Sequence, residues 1–314
     1  MPQATQEALQ VLQSISFQSN NMPINTDNII FTDMTTQAIE PKEKEPWENF
    51  TLKAYNSKPI IELIGNEPWG EFLGVELEVE LIASGTGDNK QRAQQKAAFL
   101  CSQVLNEDPK KPFVLLKNDG SLTNGGFEMC TSPAAISEHR IKWDKFFDNL
   151  PANIQVLDTC GMHVHISREP LSYMQIGKMI AFIHNPANAD FITAIAGRGS
   201  CHYSNFSSNK TEKMAMPQYG GNFDHYSAIN LVNSATIEIR IFKSTLKKEE
   251  FFKNLEFCHA LSKYCFPGLH SLKSSKDYKN FLAFVIKHYK DYPSLTAFLV
   301  LNKYVEIKAK SKKN

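Results

Sequence analysis

The chain has 314 residues, 42% apolar and 21% charged, which is ordinary globular usage and enough for one large or two ordinary domains. Its 34 Lys and Arg nearly cancel 33 Asp and Glu, leaving a formal charge of +1, so bulk electrostatics argue against a nucleic-acid partner. No run approaches the roughly 18 uninterrupted apolar residues of a membrane helix. No signal peptide is evident and the six cysteines form no CxxC pair, the pattern of a soluble, cytoplasmic protein with reduced thiols.

Residues 1–46 are rich in Gln, Asn, Thr and Ser and read as a polar, loosely ordered arm. It holds one helical segment at "ALQVLQSISF" and closes on the charged run "EPKEKEP". "FLGVELEVELI" then alternates apolar and acidic residues with period two, a strand signature. "DNKQRAQQKAAFLCSQVLNED" is a helix with Asp88 and Asn89 as its caps. "FVLLKNDGSL" reads as a short strand running into a turn at Asn118, Asp119 and Gly120. "GGFEMCTSP" is a strand stopped by proline, and "AISEHRIKWDKFFDNL" an amphipathic helix.

"NIQVLD" and "CGMHVHIS" follow, then a helix beginning "REPLSYMQIGKMIAFIH" with Pro170 in its first turn. "YSAINLVNSATIEIRIF" supplies two strands about an Asn-Ser turn. A long helix, "LKKEEFFKNLEFCHALSKYCF", is closed by Pro267 and Gly268, and two further helices lie at "DYKNFLAFVIKHYK" and "SLTAFLVLNKY". Strands and helices mix without strict alternation, so the expected class is α+β with an antiparallel sheet.

Three strands share a peculiarity. Glu76, Glu78 and Glu80 alternate with Val75, Leu77 and Val79; His163, His165 and Ser167 alternate with Met162, Val164 and Ile166; Thr236, Glu238 and Arg240 alternate with Ile237, Ile239 and Ile241. Side chains two apart share a face, roughly 6.8 Å from one another. Each strand therefore has one apolar face and one face of ionisable groups. Carboxylates gathered so closely need a counter-charge, which Mg²⁺ or Mn²⁺ supplies through hard oxygen ligands. Such a face with an Arg beside it suits nucleotide phosphates. Glu128 in "GGFEMCTSP" and Asp119 could add carboxylates.

Taken singly, each motif has a plainer reading. Alternating Glu is usually a solvated sheet face, HxH a satisfied structural pair, "TIEIR" a cross-strand ion pair, and Asp119 a turn former. Arg198 serves equally well as a phosphate clamp or an ordinary loop residue, and Cys160 is better read as an inert buried thiol than a nucleophile. Only the ordered set of segments outweighs these readings.

That order, G-x-E-x-E, a Gly-rich turn with Glu, G-M-H-x-H-x-S and I-E-x-R, resembles the glutamine synthetase superfamily of carboxylate–amine ligases. The likeness is greatest to its amidoligase branch, related to glutamate–cysteine ligases and common in phage and bacterial genomes. It spans residues 74–242. The resemblance implies an antiparallel sheet curved around the active site with helices outside, on a catalytic domain at 47–268 followed by a helical extension with a basic tail at 269–314. It implies that ATP activates a carboxylate of a small molecule or peptide as an acyl phosphate, which an amine converts to an amide. Glu76, His163 and Glu238 would bind one Mg²⁺ (or Mn²⁺), and Glu78 with Glu128 a second. His165 and Ser167 would touch the nucleotide, and Arg240 would steady the phosphoryl group. The family's arginine-rich phosphate segment is missing upstream of "TIEIR", where only Asn230 and Asn233 stand; Arg198 is the substitute candidate. No N-terminal β-grasp domain is evident, and Glu80 lies beyond the motif, expected to face solvent. Two other readings remain: a zinc hydrolase using the HxH strand, and an inactive binding or structural protein on the same fold.

Overall fold

A computed structural model describes residues 44–59, 62–83, 85–108, 110–201, 204–205, 227–269 and 271–306. The expected arm with its helical segment, most of the loop at 197–226 and the basic tail lie outside the described residues. Lys44–Asn314 forms one compact unit.

Strands β1 (Leu73–Leu81), β2 (Val114–Lys117), β3 (Phe127–Thr131), β4 (Ile154–Gln155), β5 (Gly161–Ser167), β6 (Ile229–Asn230) and β7 (Thr236–Lys243) form one antiparallel sheet. Its order is β2-β3-β1-β5-β7-β6, with β4 paired to the end of β1. The class is thus α+β. The helices are α1 (Asp88–Leu105), α2 (Ile136–Asp148), α3 (Tyr173–Ile183), α4 (Ala189–Ala196), α5 (Lys248–Tyr264), α6 (Leu272–Ser275), α7 (Tyr278–Lys287) and α8 (Pro293–Leu301).

The period-two pattern decides which face is buried under helices. Val75, Leu77, Val79, Met162, Val164, Ile166, Ile237 and Ile239 are at most 1% exposed and share a core with Trp143 of α2 and Phe251, Leu255 and Phe257 of α5. Each such side chain contributes about 1.5–3 kcal/mol of burial, so this face orders the sheet. Phe281 and Val285 of α7 and Leu295 and Leu299 of α8 belong to the same core, against α5. Glu256 ties them further, accepting from the Leu295 N–H at 2.8 Å and pairing with Arg140 of α2 at 2.9 Å.

Several local expectations change. Asp88 is the first residue of α1 rather than its cap; Gly87, at φ +54°, occupies the cap. Pro170 precedes α3, whose true cap is Ser172, accepting from the Gln175 N–H at 3.2 Å. Helix α4 has no counterpart in the pattern reading, being short and placed directly after a Pro-led turn.

Glu80 is corrected outright. It is fully buried, and its carboxylate accepts from the backbone N–H of Thr123 at 2.6 Å and of Asn124 at 2.9 Å. The Asn118–Gly126 loop is thereby strapped to β1. Lys90 of α1 holds the same loop through the Thr123 carbonyl at 2.7 Å. Gly126 enters β3 so close to β1 that any Cβ would collide with the Val79 carbonyl, which explains the glycine before "FEMCT".

Candidate functional site

Because β1 sits between β3 and β5, and β7 lies beyond β5, the four strands present their ionisable residues on one face. Glu76 stands opposite Cys130 on β3 and His163 on β5; Glu78 stands opposite Glu128; His165 stands opposite Glu238 on β7. The short strand β2 adds Lys117 opposite Glu128. Segments separated by more than 150 residues thus meet on one side of the sheet, with the hydrophobic core on the other.

Glu76 is at the centre. One of its oxygens is 3.2 Å from His163 Nδ1, the other 3.3 Å from His165 Nε2 and 4.0 Å from Lys117 Nζ. His163 Nδ1 is also 3.5 Å from Glu238 Oε1. Glu238 is held on both sides: Arg240 bonds its Oε1, and Asn230 Nδ2 donates to its Oε2 at 2.7 Å. Among the described residues, two sets could hold a metal, each with ligand atoms within 4.8 Å: Glu76, His165 and Glu238, and Glu76, Glu128 and Cys130. Both histidines approach the two carboxylates: His165 completes the set whose ligand atoms all lie within 4.8 Å, while His163 Nδ1, the ligand the resemblance implied, is 3.2 Å from Glu76 and 3.5 Å from Glu238. His163 orients Glu76 through Nδ1.

Glu78 lies off these sets. Its Oε2 accepts from the Gly161 N–H at 2.6 Å. A Cβ on Gly161 would stand 3.1 Å from His163 Nε2 and 3.5 Å from Glu78 Oε2, so the glycine of "GMHVHIS" lets an imidazole and a carboxylate crowd the same spot. Ser167 lies further along the His163–His165 face, opposite Thr236. Asp119 is a turn former, its Oδ1 accepting from the Ser121 N–H at 2.8 Å.

Pairing of β5 with β7 shifts register between Met162 and Val164, leaving Arg240 and Ile241 opposite the single residue His163. Such a bulge re-aims side chains. Arg198 secures it: Nε donates to the Ile241 carbonyl at 3.0 Å and Nη2 to the Arg240 carbonyl at 2.8 Å. Arg198 therefore positions Arg240 through the backbone.

The electrostatics match the crowding. Burial would raise the Glu76 carboxyl, but the imidazoles of His165 and His163 more than offset it and hold it well below the usual carboxylate range. Glu238 is likewise held down against burial by His165, His163 and Arg240. Glu78 is raised by burial, with only partial relief from His163 and the Gly161 N–H. Burial works against a charged His165, and Glu76 and Glu238 outweigh it and lift its pKa. Burial also opposes the Lys117 ammonium, but the carboxylates of Glu128 and Glu76 outweigh it and lift its pKa. Cys160 is pushed up to about 11 by burial, which suits an inert thiol.

A cation fits the first set on its own terms. His165 Nδ1 lies 3.1 Å from Thr236 Oγ1, whereas its buried Nε2 makes no hydrogen bond among the described residues and points toward the Glu76 carboxylate. Nε2 is 3.3 Å from Glu76 Oε1, the spacing of an ion pair when the ring is protonated, and a metal ion could take the place of that proton between imidazole and carboxylate.

Compared with known proteins, the chain matches no family model and no curated protein. Function must therefore be argued from the site itself.

Two residues of this face escaped the pattern reading. Lys117 ends a four-residue strand and looks solvated in sequence, and Cys130 looks like an apolar strand residue; Thr236, already placed on the polar face, proves to be the partner of the His165 ring. Their shared signal is period two: Lys117, Glu128 and Cys130 all fall on the Glu76 face once strand pairing is known. A surface cavity of about 490 Å³, lined by Lys273, Lys276 and Lys279 among others, touches none of these residues. No helix among the described residues is long and apolar enough to cross a membrane.

Proposed function

We propose that this protein is an ATP- and Mg²⁺-dependent carboxylate–amine ligase on a glutamine synthetase-like catalytic domain, joining a small-molecule or peptide carboxylate to an amine. The observation that carries the reading is the convergence of Glu76, His165 and Glu238 within 4.8 Å on adjacent strands, with Arg240 bonded to Glu238 on the same face. Neither metal-capable set joins both imidazoles of the HxH strand, which weighs against a zinc hydrolase built on that pair.

Glu76, His165 and Glu238 would hold Mg²⁺ or Mn²⁺, which when bound draws charge from phosphate oxygens. Arg240 would stabilise the phosphoryl group as it passes from ATP to a carboxylate oxygen and ADP departs. The amine nitrogen then bonds to the acyl carbon, and phosphate leaves with the electron pair of the broken C–O bond. Glu78, raised by burial, is suited to take the proton shed by the amine. His163 keeps Glu76 oriented, Arg198 keeps Arg240 in place, and Ser167 lines the nucleotide side of the strand.

Release of ADP and phosphate should require a carboxylate and an amine together, assayed with pools of amino acids and short peptides. Release that needs neither would mark an ATP hydrolase and refute the ligase reading.

A further inference from the structure

The two metal-capable sets share Glu76 but differ in one respect. The set of Glu76, His165 and Glu238 contains an imidazole nitrogen without a hydrogen bond. The set of Glu76, Glu128 and Cys130 contains a cation already. Lys117 Nζ is 2.9 Å from Glu128 Oε2 and 4.0 Å from Glu76 Oε1, and Lys117 is only 9% exposed.

Its position follows from the strands. Lys117 pairs with Glu128 across β2 and β3, and Cys130 lies two residues further along that face. Residues preceding Tyr55 run beside β2, with the Lys53 N–H donating to the Leu116 carbonyl at 2.9 Å and the Asn118 N–H to the Lys53 carbonyl at 3.0 Å. That places the Tyr55 ring over the ammonium at 5.5 Å, a cation–π contact that closes the outer side. Carboxylates beneath and an aromatic ring above are what a fixed positive charge needs in order to stay buried.

We infer that Lys117 is a resident cation: its ammonium fills the second of the two places on this face where a divalent ion could sit, so the chain takes a single ion, at Glu76, His165 and Glu238. The inference rests on the ligase reading for the identity of that ion and deepens it. Lys117 is a positioning residue, holding Glu128 and the near side of Glu76 without proton transfer. A site with one divalent ion and one ammonium carries one positive charge less than a two-metal site.

Titration of the full chain with Mn²⁺, followed by the electron paramagnetic resonance of the free ion, counts the bound ions directly. The wild type should bind one. Lys117→Met should bind two, because removing the ammonium reopens the Glu76–Glu128–Cys130 set. Glu128→Gln should still bind one, weakened by about ten- to a hundredfold, as expected for loss of a neighbouring rather than a ligating charge. Two ions on the wild type overturn the inference, as does a Lys117→Met variant of native circular dichroism that binds only one. Loss of the ion in Glu128→Gln overturns it as well, and that variant decides the matter if Lys117→Met does not fold. A wild type that binds no ion instead refutes the ligase reading, and the inference falls with it.

Discussion

Glu80→Gln tests the strap that holds the Asn118–Gly126 loop against β1. The carboxylate is fully buried and receives two backbone N–H groups, Thr123 at 2.6 Å and Asn124 at 2.9 Å. A hydrogen bond to a charged group contributes about 1.5–3 kcal/mol net. Glutamine keeps one carbonyl acceptor and turns its NH₂ against the second N–H, so one bond is lost and a buried donor is left unpaired. The expected cost is about 2–4 kcal/mol. At about 2–4 °C per kcal/mol for a unit of this size, Tm should fall by roughly 4–16 °C. Differential scanning calorimetry measures this directly, with the exposed helix residue Glu249→Gln as a control expected to shift stability by less than about 0.5 kcal/mol. A Glu80→Gln Tm within about 1 °C of wild type would refute the reasoning, since the loop would then hold its place without the strap.

The metal set makes its own prediction: a hundredfold excess of Mn²⁺ over its Kd should stabilise the wild type by about 2.7 kcal/mol, visible as a Tm rise that Glu76→Gln abolishes. Glu256→Ala frees the buried Leu295 N–H and takes one partner from Arg140, which is partly solvated and keeps the Asp291 carbonyl, so urea denaturation should show a loss of about 1–3 kcal/mol; a loss under about 0.5 kcal/mol would mean α8 docks without it. His139 is fully buried beneath the Leu73 carbonyl, and burial pushes its pKa down to about 4. An unfolded histidine titrates near 6.5, so between pH 6.5 and 4 the unfolded chain binds a proton that the folded one refuses, and stability falls as pH drops. By pH 5 the loss is about 2 kcal/mol. His139→Gln, which keeps a donor for Leu73, should lose about that much less stability than wild type between pH 7 and 5; equal losses in the two proteins would count against a buried neutral imidazole.

Much of this was legible in the chain because β1, β5 and β7 carry their pattern locally. Alternation alone separates Val75, Leu77 and Val79 from Glu76 and Glu78 by face, although burial does not follow that division, since Glu78 is buried as well. What alternation cannot supply is which strands adjoin. The order β3-β1-β5-β7 joins residues as distant as Glu76 and Glu238, and only that order turns three separate motifs into one face. Lys117 and Cys130 were missed for the same reason, since neither means anything until β2 and β3 are laid beside β1. The register shift opposite His163, which sets Arg240 and Ile241 against one residue of β5, is a one-residue slip without a sequence signature. Arg198 was singled out for its charge, but its role lies in the carbonyls of Arg240 and Ile241, which no pattern exposes. Glu80 misled because it continues the Glu76–Glu78 alternation, while its partners belong to a loop more than forty residues away.

The central claim is that this polar face binds a nucleotide through a divalent ion. Isothermal titration with a non-hydrolysable ATP analogue, run with Mg²⁺ and again with EDTA, tests it most directly. Saturable one-to-one binding that needs Mg²⁺ and disappears in Glu76→Gln is the predicted result. No binding with Mg²⁺ present, or binding unchanged by EDTA and by Glu76→Gln, would contradict it.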